Sequence, residues 1–203
     1  MKSLYPAALL LVFLWSQPLC AARTAEPFEA LFPMVTAEFG LPEGLLTAIA
    51  KVESGFNPWA LNIGGRAYQC LSKEEALARA KAARAAGRSF DLGLMQINSW
   101  WLDKFSLSLE AILEPRTNIR LGAWILKEEL ERHGDLRRAV GAYHSPRPHR
   151  AGPYADLVLA AWGKKDPPSP AVSTIHFIQH SREIKVSGTL SANSMKVRRK
   201  TYD

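Results

Sequence analysis

The chain has 203 residues, which is enough for one well-buried domain and a short extension but not for two full domains. It carries 26 lysines and arginines against 19 aspartates and glutamates, a formal net charge of +7. This charge suits an anionic polymer or surface as a partner. No recognised nucleic-acid-binding motif accompanies the charge, so we expect no nucleic acid partner.

The N-terminal segment, residues 1–22, predicts a secretory signal peptide. Lys2 gives it a positive start, an apolar run covers 7–15, and small residues follow at 20–22. The apolar run is too short to span a bilayer comfortably. We therefore expect an exported, periplasmic protein without a transmembrane segment in its mature chain.

The two cysteines bear on this expectation. Cys20 resembles the anchor position of a bacterial lipoprotein, but the preceding residues 17–19 match that signal poorly, so the soluble exported form is favoured. After cleavage Cys70 is the only cysteine, and no internal disulfide is expected. A packing role for Cys70 is favoured over a catalytic one because it is a small apolar residue beside a leucine.

Residues 27–164 predict a mainly α-helical domain, because apolar residues recur at helical spacing between helix-ending glycines. The predicted helices cover 28–39, 42–55, 72–87, 118–134, 135–143 and 152–165. Ser72 and Glu75 make a capping box at the start of the third helix. The Gly-rich stretch 61–70 predicts a loop or a short hairpin.

The last segment, 165–203, differs in composition from the helical domain. A Pro-rich linker at 166–172 is followed by two stretches that alternate weakly, as strands do, and by a basic end at 196–200. We expect an extended or partly disordered tail. A contact between this tail and a partner protein is a hypothesis.

The second predicted helix turns a glutamate toward its own apolar face. Glu53 lies four residues after Ile49 and seven after Leu46, and Gly55 ends the helix soon afterwards. A carboxyl group that is partly buried against apolar side chains has a raised pKa and can serve as an acid near neutral pH. The alternative is a glutamate that swings out to solvent, which is the commoner arrangement.

Three short stretches occur in order on this helical domain: Glu53-Ser54, "DLGLMQINSWW" at 91–101 and "AVGAYHS" at 139–145. Together, behind a signal peptide, they resemble the lytic transglycosylase family of the lysozyme-like superfamily over residues 28–163. The long insert that ends in "FDLGLMQIN" is most similar to members associated with secretion, conjugation and pilus machines.

This resemblance implies a mainly α, lysozyme-like fold of the goose-type lysozyme and transglycosylase kind, with a cleft between helical lobes. It implies that the substrate is the peptidoglycan glycan strand and that the MurNAc-β-1,4-GlcNAc bond is cleaved to leave a 1,6-anhydroMurNAc end. It further implies a monomer without cofactors, and contacts with a secretion, conjugation or pilus machine. The five histidines show no metal-ligand spacing, so no metal site is expected.

The resemblance makes Glu53 the catalytic residue. It implies that Glu53 protonates the glycosidic oxygen and then, as a carboxylate, takes the proton of the C6 hydroxyl that attacks C1 within the same sugar. Ordinary glycosidases need a second carboxylate, and Asp91 is the only other acid in the three motifs. Asp91 is expected to position the turn that follows it.

Candidate substrate-binding residues come from the same motifs and from the last helix. They are Ser54, Gly93, Met95, Gln96, Asn98, Tyr143 and Tyr154. Gly93 is expected to admit the ligand close to the backbone, Met95 to form an apolar cleft wall and Gln96 to hydrogen-bond sugar groups.

For three of these candidates a second role is equally open. Ser54 is expected to bond either substrate or the helix end, and Asn98 either a sugar or a turn. Tyr154 is expected either at the cleft floor or in the core. Of Trp100 and Trp101, which could stack on sugars, at least one is expected in the core.

Tyr143 corresponds to the tyrosine of the family's "AYN" motif, whose hydroxyl helps to orient the acid. The chain departs from the family pattern at the next position, where His144 replaces the usual asparagine. His144 is expected to be a polar substitute in the cleft, with a role as a proton partner as the alternative.

Two other functions stay open on the sequence alone. One is a hydrolytic muramidase on the same fold, in which Asp91 would hold the attacking water. The other is a non-catalytic, wall-binding scaffold of a secretion machine. The chemical form of the product separates the two reactions, and substitution of Glu53 separates an enzyme from a scaffold.

Overall fold

Residues 27–163 are described by a computed structural model, and they form eight α-helices and a four-stranded antiparallel sheet. The predicted signal peptide (1–22), with Cys20, and the predicted tail (165–203) lie outside these residues. A single 3₁₀ turn, Phe28–Ala30, precedes the first helix. The helices are α1 Leu31–Phe39, α2 Leu45–Ser54, α3 Lys73–Ala85, α4 Ser99–Lys104, α5 Leu109–Ile112, α6 Pro115–His133, α7 Leu136–His144 and α8 Pro148–Trp162.

The helix ends follow the local signals in the sequence. The Ser72 side chain accepts a hydrogen bond from the Glu75 amide at 3.2 Å and so caps α3, as the capping-box pattern predicts. Asp135 caps α7 in the same way, by accepting from the Arg138 amide at 2.8 Å. Pro148 begins α8, where its missing N–H has no intrahelical partner to lose.

The sheet includes the stretch that the sequence predicts as a loop or a short hairpin. β1 Ala60–Ile63 and β2 Arg66–Gln69 make this stretch a hairpin, and β3 Phe90–Leu92 and β4 Ile97–Asn98 add two strands within "FDLGLMQIN". The strand order is β2-β1-β3-β4. β3 and β4 were not predicted because three and two residues are too few to show the alternation of a strand.

The face of the sheet toward the helices is apolar. Leu61, Leu92 and Ile97 occupy successive strands in register and are almost fully buried. They join the hydrophobic core that α2 and α6 also enter. The mainly α prediction and the buried apolar face predicted for α2 are both confirmed.

Among residues 27–163 we find no helix with the length and apolar character that crossing a membrane requires.

Helix α6 packs against the turn between β3 and β4, residues 93–96, which we call the β3–β4 turn. Gly122 makes this contact possible, because a Cβ atom there would lie 2.8 Å from Cβ of Met95 and 2.9 Å from its Cγ and Cε. Met95 Cβ is fixed to the backbone and cannot move aside as a flexible side-chain end would. The close approach of α6 therefore depends on the absence of a side chain at position 122.

We predict that Gly122→Ala destabilises the domain by about 1–3 kcal/mol, the usual cost of overpacking a core. Gly152→Ala in α8 is the matched control, since a Cβ there has no atom within 4 Å. Because Pro153 follows it and crowds a Cβ on the preceding helical residue, this control should gain less than the roughly 1 kcal/mol of an ordinary Gly→Ala change within a helix. Denaturant unfolding of both variants measures the difference, and a Gly122 variant as stable as the wild type would contradict the packing argument.

Candidate active site

Glu53 lies in the last turn of α2, and its carboxyl group is largely withdrawn from water. Its side chain is 13% exposed, while Leu46 and Ile49 on the same face are fully buried. Burial raises the pKa of Glu53 from 4.5 to about 7, because it disfavours the charged form. The Tyr154 hydroxyl lowers this pKa and the charge of Asp91 raises it further. Glu53 therefore holds a proton close to neutral pH.

Two stacked rings from α7 and α8 lie beside the Glu53 carboxyl group. The His144 and Tyr154 rings have centroids 4.4 Å apart and planes inclined by 7°, and His144 Nδ1 lies 3.9 Å from Glu53 Oε1. The buried Tyr154 hydroxyl makes no hydrogen bond of standard geometry among the described residues, yet it lies close enough to Glu53 to lower the pKa of that carboxyl. Because a buried donor without an acceptor is costly, the ionised Glu53 is a natural acceptor for it.

The second carboxyl group of the site is already bound by the protein. Asp91 lies in β3, in register with Asn62 of β1 and Asn98 of β4, so these side chains form one row on one face of the sheet. Asn98 Nδ2 donates to Asp91 Oδ1 at 2.7 Å. Burial raises the pKa of Asp91, and the Asn98 bond and the charge of Arg150 oppose this rise. Within residues 27–163 no three His, Cys, Asp or Glu side chains are grouped to hold a metal ion.

The β3–β4 turn lies beside the end of α2, and side chains from three helices bind its backbone. Ser54 Oγ of α2 donates to the Leu94 carbonyl at 2.9 Å. Asn118 Oδ1 of α6 accepts from the Met95 amide at 2.8 Å. Tyr143 of α7 donates its hydroxyl proton to the Met95 carbonyl at 2.7 Å. The turn therefore links the helix that carries Glu53 to the sheet that carries Asp91.

Two residues of the β3–β4 turn have left-handed backbone conformations. Gly93 has φ of +79° and Gln96 has φ of +45°. A Cβ atom at position 93 would lie 2.3 Å from Asn118 Nδ2, so the protein itself excludes a side chain there. Gln96 Nε2 donates to the carbonyls of Ala60 at 3.1 Å and Gly93 at 2.9 Å, and these bonds hold the unusual conformation in place.

The structure brings the predicted substrate-binding residues together but uses most of their atoms internally. Met95 is 0% exposed, so the prediction that it forms a cleft wall is wrong, and its side chain packs on Gly122 instead. Gly93 makes room for Asn118, which differs from the predicted approach of a ligand. Ser54 is 5% exposed, and its hydroxyl serves the helix end and the turn rather than substrate.

The remaining candidates differ in whether their polar atoms are already bonded within the protein. Asn98 caps α4 by accepting from the Trp100 amide at 3.0 Å and also binds Asp91, which is the turn role among its two alternatives. Gln96 keeps its amide oxygen without a partner among the described residues, so its contact with sugar stays a prediction. Trp101 packs on Phe105 at 5.9 Å with nearly parallel rings, whereas Trp100 is exposed.

Both tyrosines lie near Glu53. The hydroxyl of Tyr143 donates to the Met95 carbonyl, and burial, followed by the charge of Glu53, raises the pKa of that hydroxyl. The Tyr154 hydroxyl lies close enough to Glu53 to lower the pKa of the carboxyl group, so the orientation of the acid by Tyr143 stays a prediction and Tyr154 is a second candidate for it. Asn118 was missed altogether, although a polar residue one turn before Gly122 on the inner face of α6 is the available signal.

A family model now tests the resemblance drawn from the three motifs. The model described as Transglycosylase SLT domain matches residues 30–149. This range is more than half of the chain and contains Glu53, the β3–β4 turn and His144. The chain belongs to the SLT transglycosylase family. The lysozyme-like fold expected from the motifs is thereby confirmed, and Tyr154 lies just beyond the matched range.

Curated relatives of this SLT chain come from several bacteria. It is 34% identical over 111 residues to "Type IV secretion system protein virB1" of Brucella abortus biovar 1, covering 49% of this chain and 47% of the relative. It is 32% identical over 137 residues to "Protein virB1" of Agrobacterium fabrum, with 59% and 56% covered. It is 30% identical over 111 residues to "Protein IpgF" of Shigella sonnei, with 53% and 59% covered.

The chain thus spans about half the length of the curated relatives it matches. No solved structure shows a significant match to it. The family assignment and the fold therefore rest on the SLT match and on the architecture itself.

We predict that Glu53→Gln stabilises the SLT domain at alkaline pH. The pKa of Glu53 is about 7 in the folded protein against 4.5 for an unperturbed glutamate. Below pH 4.5 the group is protonated in both the folded and the unfolded state, and the folded protein keeps its full stability. As pH rises from 4.5 through 7 the unfolded state loses the proton first, so the free energy of unfolding falls. Glutamine carries no charge at any pH. The variant should gain up to about 3 kcal/mol over the wild type at pH 8 and nothing near pH 4.

Denaturant unfolding at the two pH values measures this gain. Glu43→Gln is the matched control, because it makes the same substitution at an exposed position just before α2 and so reports effects that do not depend on burial. An equal gain for Glu53→Gln at pH 4 and pH 8 would show that its carboxyl group is not desolvated.

Proposed function

We propose that this protein is an exported lytic transglycosylase that cleaves the MurNAc-β-1,4-GlcNAc bond of peptidoglycan and leaves a 1,6-anhydroMurNAc end. The observation that carries the proposal is the buried Glu53, whose pKa is raised to about 7 within an SLT domain. A glycosidic oxygen is a poor leaving group until it is protonated. A carboxyl group that still holds its proton near neutral pH is the acid that such a reaction needs.

In the first step Glu53 donates its proton to the glycosidic oxygen as the bond to C1 of MurNAc breaks. The substrate's own N-acetyl group stabilises the positive charge that develops at C1. Glu53 becomes a carboxylate in this step, and the hydroxyl of Tyr154 is placed to stabilise it, since a buried carboxylate needs hydrogen bonds to its charged form.

In the second step the Glu53 carboxylate takes the proton of the C6 hydroxyl, whose oxygen forms the new bond to C1. The proton count balances, because Glu53 ends the cycle protonated as it began. The attacking hydroxyl belongs to the same sugar, and this proximity favours it over a water molecule. No second carboxylate is needed, which fits an Asp91 that is already bound to Asn98.

Hydrolysis on the same site is the second candidate, and one observation favours it. Asp91 lies close enough to Glu53 for its charge to raise the pKa of that group, and its own pKa is raised by burial. A carboxylate in this position would serve as a base for water, as in inverting glycosidases. The two reactions share Glu53 as the acid and differ in which hydroxyl attacks.

The proposed setting is the periplasm, where the enzyme would open the wall locally for an envelope-spanning machine. A relative with 34% identity is named a type IV secretion system protein, and the basic charge of this chain suits the anionic cell wall. The predicted signal peptide at 1–22 supports export. Contacts with machine components are proposed for the tail, 165–203, and the catalytic domain is proposed to act as a monomer.

The test of this function is the product that the purified protein releases from isolated peptidoglycan sacculi, identified by mass spectrometry. We predict muropeptides with ends one water lighter than a reducing sugar. Glu53→Gln should lower their release by about 10²–10⁴-fold, the usual contribution of a general acid or base. Glu43→Gln, which removes an exposed carboxylate outside the site, should leave the release unchanged.

Reducing ends in place of anhydro ends would establish hydrolysis, and Asp91→Asn would then be expected to abolish it. Equal release by wild-type protein and a folded Glu53→Gln variant would refute the assignment of the acid. A folded wild-type protein that releases nothing would favour the wall-binding scaffold.

We also predict that removal of residues 166–203 leaves this cleavage intact. Every group of the described site lies between α2 and Tyr154, so the chemistry needs no residue beyond α8. The rate of muropeptide release from the truncated and full-length proteins, compared at equal concentration, measures the effect. A large loss of rate in a truncated protein that unfolds at the same temperature would place the tail in the catalytic unit.

A further inference from the structure

His144 lies beside both Glu53 and Tyr154. Its ring lies parallel to that of Tyr154 at 4.4 Å, and its Nδ1 atom faces Glu53 Oε1 at 3.9 Å. Its side chain is about one third exposed. Glu53 is the carboxyl group within ion-pair distance of its ring, and among residues 27–163 we find no hydrogen bond that holds either ring nitrogen.

The surroundings of His144 favour its neutral form. Burial lowers the pKa of His144, and the positive charge of Arg150 in α8 lowers it further. From the other elements, Glu53 of α2 and Tyr154 of α8 face the ring, and Asp91 of β3 faces Glu53. A neutral imidazole carries one N–H donor and one acceptor. It can therefore donate to a carboxylate without competing for the proton that the carboxyl group must transfer.

We propose that His144 is a positioning residue that donates its Nδ1–H to the Glu53 carboxylate during the reaction, with its ring held at the correct angle by Tyr154. The inference rests on the proposed function, since it concerns the state of Glu53 between its two proton transfers. The gap of 3.9 Å has to close by about 1 Å to make a hydrogen bond. Such contacts are often long in an unliganded enzyme and tighten when the substrate is bound.

The proposed bond forms and breaks with the charge on Glu53 and moves no proton of its own. When Glu53 has protonated the leaving oxygen, Nδ1–H and the Tyr154 hydroxyl both donate to the carboxylate. When Glu53 takes the C6 proton, the carboxyl group becomes neutral again and both donors are released. His144 thus stabilises the charged intermediate form of the acid.

Two variants of His144 test the N–H donor and the aromatic ring separately. His144→Phe keeps a flat ring against Tyr154 but has no N–H, whereas His144→Asn keeps an N–H donor and has no ring. We predict that the Phe variant loses about tenfold in kcat on soluble peptidoglycan strands. The alkaline limb of its kcat profile, which reports the acid in the enzyme–substrate complex, should move up by about one pH unit, because the carboxylate form has lost the same stabilisation. The Asn variant should stay within about threefold of the wild type in kcat, with its alkaline limb unmoved.

Thermal unfolding of each variant confirms that it is folded before its kinetics are compared. A Phe variant with wild-type kcat and an unmoved alkaline limb would overturn the inference, as would an Asn variant impaired as much as the Phe variant. Either result would leave the proposed function untouched if the wild type still forms anhydro ends. A wild type that forms none would instead overturn the proposed function itself, and the inference with it.

Discussion

The architecture of the site depends on the hydrogen bonds of one buried stretch of backbone. Residues 93–96 run between the sheet and the helices, away from water, so their amides and carbonyls need partners within the protein. Ser54, Asn118 and Tyr143 supply those partners from three different helices. Because each bond has a short range and a preferred direction, satisfying all three at once fixes the helices relative to the sheet.

That arrangement determines the electrostatics of Glu53. The end of α2 is held against the β3–β4 turn, and α7 and α8 close over it with His144 and Tyr154. The carboxyl group loses water on most sides and keeps its proton to about pH 7. The desolvation that destabilises a charged Glu53 also keeps the group protonated near neutral pH, which the proposed reaction requires.

The site also explains why residues of a catalytic motif need not touch a substrate. Gly93, Met95 and Ser54 belong to the motifs that identify the family, yet each is buried and serves the turn or its packing. A side chain at position 93 would collide with Asn118, and the Ser54 hydroxyl donates to the Leu94 carbonyl. A motif therefore records the requirements of the scaffold together with those of the chemistry.

Several features of the fold could be predicted because they depend on neighbouring residues only. The apolar face of α2, the cap at Ser72 and the hairpin at β1 and β2 all follow from local spacing and turn chemistry. The strands β3 and β4 could not be predicted in this way. They are too short to show a period, and they exist because β1 is present to pair with β3.

The sequence by itself determined the helical domain, the family and the position of Glu53 on an apolar helix face. Each of these depends on residue type and on spacing along the chain. Only the tertiary structure decided that Tyr154 lies beside Glu53, that the Tyr143 hydroxyl donates to the Met95 carbonyl, and that Asn98 donates to Asp91. These are contacts between residues 7 to 101 positions apart, and the packing of whole helices and strands sets their distances, which no local pattern encodes.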